Sequence, residues 1–473
     1  MDQTQTFGHR SGPLAAATLK PLTQALAARF GNRLVTSDAV RGQHAHTLTW
    51  TPPQPPDAVV FAQERQDVID CVRICAAHDA PIIPFGAGSS LEGHVNAPFG
   101  GVSLDMSAMD KVLAVHAEDL DCTVEPGITR KALNAHLRDT GLFFPVDPGA
   151  DASIGGMAST RASGTNAVRY GTMKDVTLSL GVVTADGAYM RTGSRAKKSS
   201  AGYDLTRLFV GSEGTLGVIT DVTLRLSGVP ESIAAGHCPF PSVRAACEAA
   251  ILTIQAGVPI ARVELMDAVS VKACNAYSKL SLPETTMLFV EFHGTQASVK
   301  EQCASFGAIA SEFGGGPAAF ATLAEERTKL WQARHDFFWA SQVLRPGAKA
   351  FATDVCVPIS RLADCVEETR ADAEAAGLVA TLVGHVGDGN FHYSPLIDMN
   401  DAAEIARAEA FSERLALRAI AMDGTCTGEH GVGQKKIGYL EHEHGAPALA
   451  MMRAIKATLD PMNLFNPGKI FRV

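Results

Sequence analysis

The sequence predicts an α+β protein of more than one domain, and three observations carry that expectation. At 473 residues the chain is too long for one ordinary core, on a soft prior of about 150 residues per domain. Its 46% hydrophobic content excludes disorder, and its mixed residue usage excludes collagen-like or low-complexity architecture. From about residue 231 onward, strand-like and helix-like stretches alternate, the pattern of a sheet covered on one side by helices.

The elements follow in order. Leu14 to Phe30 carries Leu and Ala at helical spacing and stops at Gly31, a fitting C-cap. TPPQPPD at 51–57 interrupts regular structure, because proline cannot continue it. VVFA (59–62) reads as a strand and 66–78 as a helix on Val68, Ile69, Val72 and Ile74; PIIPFGAGSS reads as a strand entering a glycine loop. VSLD, KVLAVHA and DCTVEP are three short strands between 102 and 125, and Ile128 to Thr140 is a helix closed by Gly141. Residues 145–175 are Gly- and Ser-rich and weakly periodic, and a loop of that length is usually functional. Strands resume at 176–185 and 217–226, with a turn at Asp186-Gly187. The character changes near Val229-Pro230. Helices are then expected at 242–256, 360–376 and 401–422, and strands at 261–265, 287–293, 351–357, 380–386 and 391–397. Glycine loops, a helix over 447–459 and the tail NLFNPGKIF close the chain. The divisions are an N-terminal helical segment (1–52), a first domain (53–230), a second domain (231–425) and a C-terminal segment (426–473).

Charge and cysteine usage narrow the function classes. A formal net charge of −9 does not supply the Lys and Arg surface that phosphate neutralisation needs, so no nucleic-acid partner is expected. No run of about 18 apolar residues proposes a membrane span. The opening MDQTQTFGHRSG lacks the charged-then-apolar order of a signal peptide. Ten scattered cysteines without C-x-x-C read as a reducing compartment, here the cytoplasm. Cys71 and Cys75 fit buried thiols on one helix face better than a metal pair.

Three glycine segments carry the first chemical signal. PFGAGSSLEGH (84–94) has its glycines spaced G-x-G-x4-G, which misses the dinucleotide fingerprint and disfavours a nicotinamide enzyme. Such a loop can still present backbone N–H groups to a pyrophosphate. PGADASIGGMASTRASGTNAVRYG (148–171) has few bulky side chains and suits wrapping an extended ligand. GSEGTLGVIT (211–220) is the third. Together with the terminal NPGK, these motifs resemble the vanillyl-alcohol-oxidase-type flavoproteins. More closely they resemble the FAD-linked D-2-hydroxyacid dehydrogenases, the D-lactate dehydrogenase and glycolate oxidase D subunit group, over about residues 50–473.

That resemblance implies a two-lobed FAD-binding domain, a separate α+β cap domain over 231–425, and a C-terminal segment returning to the FAD domain. It implies that Pro84, Gly86, Ala87, Gly88, Ser89 and Ser90 cradle the pyrophosphate. It implies that Pro148, Gly149, Ser153, Gly155, Gly156, Ser159 and Gly164 line the flavin and ribityl chain, and that Glu213, Gly214, Ile219 and Asn466 complete the pocket. Ser89 stands where some relatives attach FAD through a histidine, so non-covalent FAD is expected, with His94 structural.

GHVGDGNFHYS (384–394) carries two histidines. If 387–390 turn a hairpin, His385 faces His392 on one side of the sheet, and the pair either shares a divalent metal or is two unrelated histidines. CTGEHGVGQKK (426–436) adds Glu429 and His430 among glycines that permit a bend. By resemblance His385, His392 and Glu429 are ligands of Zn²⁺ or Mn²⁺, and His430 is the base. By resemblance too, Arg334 and Lys349 bind the substrate carboxylate, and Phe338 lines the side-chain end.

The expected activity is FAD-dependent oxidation of a D-2-hydroxy acid, D-lactate first, to the 2-oxo acid. Its electrons pass to a cytochrome, a quinone or an electron-transfer protein, through which the protein could sit peripherally at a membrane, and a homodimer is expected. The alternatives are D-2-hydroxyglutarate oxidation, a glycolate oxidase FAD subunit, an alkyl-glycerone-phosphate-synthase-like non-redox flavoenzyme, and a subunit that relays electrons without its own substrate site.

Overall fold

A computed structural model describes Gly8, Arg10 and residues 12–46 and 50–472. Most of the N-terminal stretch read for a leader lies outside the described residues. The chain forms two compact units. The first comprises Met1–Ser163, Thr172–Gly228 and Glu429–Val473; the second comprises Gly164–Gly171 and Val229–Gly428. Three expectations change. The N-terminal helical segment is part of the first unit, the chain crosses over after Gly228 and Gly428, and Gly164–Gly171 leaves the cofactor segment for the second unit.

The first unit holds two main sheets. Ala58–Phe61, Val102–Asp105 and Ile82–Phe85 run parallel, with Leu34–Val35 antiparallel at one edge. Their Val59, Val60, Ile83, Val102 and Leu104 are buried, the continuous apolar run of a sheet covered on both faces. The helix Arg65–Ala77 buries Val68, Cys71, Val72 and Cys75 on one face, as read for the two thiols. The second sheet is antiparallel, in the order Val112–His116, Asp121–Val124, Val218–Arg225, Thr177–Val183 and Tyr189–Arg191. The C-terminal tail returns to the first sheet, where the Asn466 N–H donates to the Ile82 carbonyl at 2.8 Å.

Residues 145–175 are not one loop. Ile154–Thr160, Ala167–Tyr170 and Met173–Val176 are short helices, the first too rich in small residues and the other two, at 4 residues each, too short to show an apolar period. In the first of them a Cβ on Gly155 would stand 2.5 Å from the Pro126 Cβ, so that glycine serves a close helix approach. The expected helix over 447–459 begins earlier, as Leu440–Leu459 with a break at Gly445, φ 75°.

The second unit is one antiparallel eight-stranded sheet. Its order is Ala319–Ala321, Ser232–Phe240, Thr286–Gly294, Ile260–Met266, Ala380–His385, Asn390–Ile397 and Lys349–Ala350, with Val355–Cys356 also pairing Asn390–Ile397. Ser232–Phe240 escaped the sequence reading because SIAAGHCPF has one β-branched residue and a proline. The expected strand over 351–357 shrinks to Val355–Cys356. The core joins Phe292, Phe306, Phe391, Phe411 and Leu415 under the covering helices. Among the described residues, no helix is long and apolar enough to cross a membrane.

Candidate active site

The cofactor residues gather in the first unit. A Cβ on Gly86 would fall 2.1 Å from Ser153 Oγ, so the first two glycine segments meet there, and Gly88 takes φ +65° in the same turn. Ser90 Oγ, Ser153 Oγ and Asn466 Oδ1 are buried polar atoms with no hydrogen-bond partner among the described residues. Native structures leave few such atoms, and a polar ligand such as FAD satisfies them. The residues present therefore fit that cofactor. Ser159 Oγ donates to the Gly155 carbonyl at 2.9 Å, Asn466 Nδ2 donates to the Glu213 carbonyl at 2.8 Å, and Ile219 sits buried in the antiparallel sheet. Gly164 belongs to the second unit.

Glu213 has a different role from the expected flavin contact. Its carboxylate accepts the Val432 N–H at 2.6 Å and the Gly433 N–H at 2.8 Å, and His94 Nε2 lies 3.1 Å from it. It thus ties down the segment that carries Glu429 and His430. That segment bends where the glycines permit, at Gly431 (φ +81°) and Gly433 (φ +52°), and a Cβ on Gly431 would stand 2.7 Å from Glu213 Oε1. Glu92, quoted within the first motif but given no role, places Oε1 3.6 Å from His430 Nδ1 and 3.3 Å from Lys436 Nζ. Lys469, also unassigned, is fully buried beside Asn96; burial pushes its amine down to about 7 against the pull of Glu213.

The histidine hairpin lies in the second unit, and its register differs from the expected one. His385 pairs with Asn390 and His392 with Val383, so the turn is 386–389 rather than 387–390. The slip is two residues, and an even slip preserves the face. The imidazoles are therefore diagonal neighbours, ring centroids 5.7 Å apart and nearly perpendicular at 87°. Each Nδ1 has a fixed acceptor: Glu264 Oε1 at 2.6 Å for His385 and the Thr353 carbonyl at 2.9 Å for His392. A ring donating from Nδ1 carries its lone pair on Nε2, the tautomer a metal ligand needs. The donor chemistry fits a divalent cation on these two rings. Asn390 Nδ2 donates to Asp354 Oδ1 at 2.8 Å, which braces the hairpin, and a Cβ on Gly428 would stand 2.1 Å from the same Asn390 Nδ2.

Glu264 was not found from the sequence. It pairs with His385 across the sheet, and its other oxygen accepts Arg334 Nε at 2.9 Å. Burial pushes its carboxyl toward the neutral form, but the pull of His385 and Arg334 beside it outweighs this and holds it below the ordinary carboxylate range. Arg334, on the helix Ala324–His335, thus joins the hairpin through Glu264, with one edge of its guanidinium already committed.

Lys349 does not join it. Lys349 is exposed and pairs with Ile397, five residues along the strand from His392. That is about 17 Å at roughly 3.4 Å per residue, and an odd number of steps puts it on the opposite face. The carboxylate role of Lys349 is withdrawn. Phe338 packs against Ala348, Ala350 and Leu396, the last of them four residues beyond His392 on the same face of the strand.

Comparison with known proteins identifies the family. Residues 56–193 match the family of the FAD binding domain, and residues 229–470 match that of the FAD linked oxidases, C-terminal domain. The chain is 52% identical over 438 residues to a probable mitochondrial D-lactate dehydrogenase of Danio rerio, covering 92% of this chain and 88% of that one. It is 47% identical over 415 residues to the mitochondrial D-lactate dehydrogenase [cytochrome] of Arabidopsis thaliana, covering 88% and 73%. In fold it is similar to the solved 4-ethylphenol oxidase from Gulosibacter chungangensis, with TM-score 0.81 and 18% identity over 98% of this chain and 99% of that one.

Proposed function

Because the chain belongs to the FAD-linked oxidases, we propose that it is a dehydrogenase of D-2-hydroxy acids, oxidising D-lactate to its 2-oxo acid. The likeness to an enzyme named for D-lactate carries this reading, since it runs over 92% of the chain. Bound FAD supplies the two-electron acceptor for the hydride from the substrate α-carbon. A divalent cation, zinc or manganese, supplies a Lewis acid for the substrate oxygen. His385, His392 and Glu429 are its proposed ligands. The fixed Nδ1 partners of both rings support that set, as does Gly428, covalently joined to Glu429 and packed on Asn390.

The remaining steps fall to the chain's own side chains. His430 takes the hydroxyl proton at Nε2, with Nδ1 turned toward Glu92. Arg334 binds the substrate carboxylate through the edge that Glu264 leaves open. The proposed electron acceptor is a cytochrome, after the bracketed name of the Arabidopsis thaliana relative, with a quinone or an electron-transfer protein as the other outcomes of an acceptor screen. A homodimer belongs to the same reading. All ten cysteines are free, which suits a reducing compartment.

Two results are expected from the purified protein. Acid precipitation should release FAD into the supernatant, because Ser89 offers no attachment atom of the histidine kind; yellow colour left on the denatured polypeptide would overturn the non-covalent reading. Under anaerobic conditions D-lactate should bleach the flavin and L-lactate should not. Anchoring the carboxylate and hydroxyl of the L-enantiomer on the same groups turns its α-hydrogen away. Equal bleaching by both would reject the handedness of the site, and faster bleaching by D-2-hydroxyglutarate would reassign the substrate.

A further inference from the structure

Glu264 occupies an unusual position for a carboxylate. Its side chain has no solvent exposure, and its two oxygens face different partners. Oε1 lies 2.6 Å from His385 Nδ1; Oε2 lies 2.9 Å from Arg334 Nε and 2.8 Å from Arg334 Nη2. The strand Ile260–Met266 pairs Glu264 with His385 directly, so the acid and the imidazole rise from one face of the sheet. Arg334 reaches the same acid from the helix Ala324–His335, and its Nη1 takes no partner among the described residues.

We propose that Glu264 is a positioning residue that ties the metal ligand His385 to the carboxylate-binding Arg334, so that the hydroxyl end and the carboxylate end of a 2-hydroxy acid are held by groups braced on one buried anion. This rests on the metal and substrate roles proposed above. The physics has two parts. A carboxylate that accepts from the second ring nitrogen of a ligand histidine fixes its tautomer and raises its basicity, and losing such a partner typically weakens metal binding by about 10–100-fold. An arginine held along its Nε edge keeps its outer edge at a fixed angle, which is what two-pronged carboxylate recognition requires. A single acid doing both makes the spacing between the two grips a property of the sheet.

The test uses the FAD-loaded full chain and its Glu264→Gln variant, which keeps size and an acceptor oxygen but removes the charge. Zinc affinity is measured by competition with a chromogenic chelator, alongside flavin content and the near-ultraviolet circular dichroism spectrum. Zinc binding should weaken about 10–100-fold while flavin content and the spectrum stay at parental values. Saturating zinc should then restore most of kcat for D-lactate but leave KM raised several-fold, because Arg334 remains unbraced. A residue acting on the metal alone would have KM restored as well, and that result overturns the coupling. Parental zinc affinity in the variant overturns the inference and leaves the metal reading standing. A parent that binds neither zinc nor manganese overturns the metal reading itself. If Glu264→Gln does not fold, Glu264→Asp answers the same question. It keeps the charge but is too short to span both partners, so it too should weaken zinc and raise KM, and parental values for both overturn the proposal.

Discussion

In a His430→Asn variant, flavin reduction by D-lactate is expected to slow by about 10²–10⁴-fold, the usual worth of general acid–base help. Asparagine keeps hydrogen-bonding capacity near the substrate hydroxyl but cannot take its proton. The loss should fall on the chemical step, because the segment around residue 430 is held by other groups. Glu213 accepts the Val432 and Gly433 N–H groups, and the Gln434 N–H donates to the Glu92 carbonyl at 2.9 Å. None of those bonds involves the imidazole. Flavin content should therefore stay parental, and KM should change little beside kcat. Stopped-flow reduction under anaerobic conditions reads the step directly. A parental rate would remove His430 from the chemistry, and a parental rate with raised KM would make it a binding residue. The 3.6 Å between Glu92 and His430 Nδ1 is long for a hydrogen bond, as such contacts often are before a substrate closes the site.

What could be read in the sequence follows a physical line. Local chemistry was legible. The glycine segments announced a backbone approaching an extended ligand, and the structure brings Gly86 against Ser153. The hairpin was legible because two apolar runs flank Gly387-Asp388-Gly389, and its face survived a register error because the error was even. Residues whose meaning depends on distant partners were not legible. Glu264 and His385 are 121 positions apart, and nothing in RVELM distinguishes that glutamate from a solvated one. Glu92 gains its role only from a lysine and a histidine at the other end of the chain. Lys349 failed for the complementary reason: proximity in sequence to Arg334 does not fix the strand register, and the register carried it to the far end of the Asn390–Ile397 strand. Small-residue helices such as Ile154–Thr160 stayed hidden because a helix without large apolar side chains has no period to see.

Removing either hairpin histidine should abolish metal binding and most of the activity without touching the flavin. In His385→Ala or His392→Ala, one nitrogen ligand is lost from a set of three, and the remaining pair is too weak to compete with a mild chelator. A Lewis acid contributes several kcal/mol of transition-state stabilisation, so its loss corresponds to about 10²–10⁴-fold in kcat. The flavin is expected to remain because its cradle of Gly86, Ser90, Ser153 and Asn466 lies in the first unit, while both histidines belong to the second. Fold damage should be small. The rings sit at the turn end of the hairpin, and the sheet behind them is held by the pairing of Ala380–His385 with Asn390–Ile397 and with Ile260–Met266. Metal content by plasma emission, flavin absorbance and D-lactate turnover with a dye acceptor make the three readouts. The two variants should differ in one respect. His385→Ala also takes from Glu264 a hydrogen-bond partner at 2.6 Å and leaves it Arg334, whereas His392→Ala frees the Thr353 carbonyl and takes from Asp354 only a neighbour 3.9 Å away, while Asn390 and Thr427 still donate to that carboxylate. A buried charge that loses a close hydrogen-bond partner costs more than a freed carbonyl, so His385→Ala should unfold at the lower temperature. Full turnover in metal-free protein of either variant would sink the metal role. Equal melting temperatures would show that Glu264 does not depend on His385.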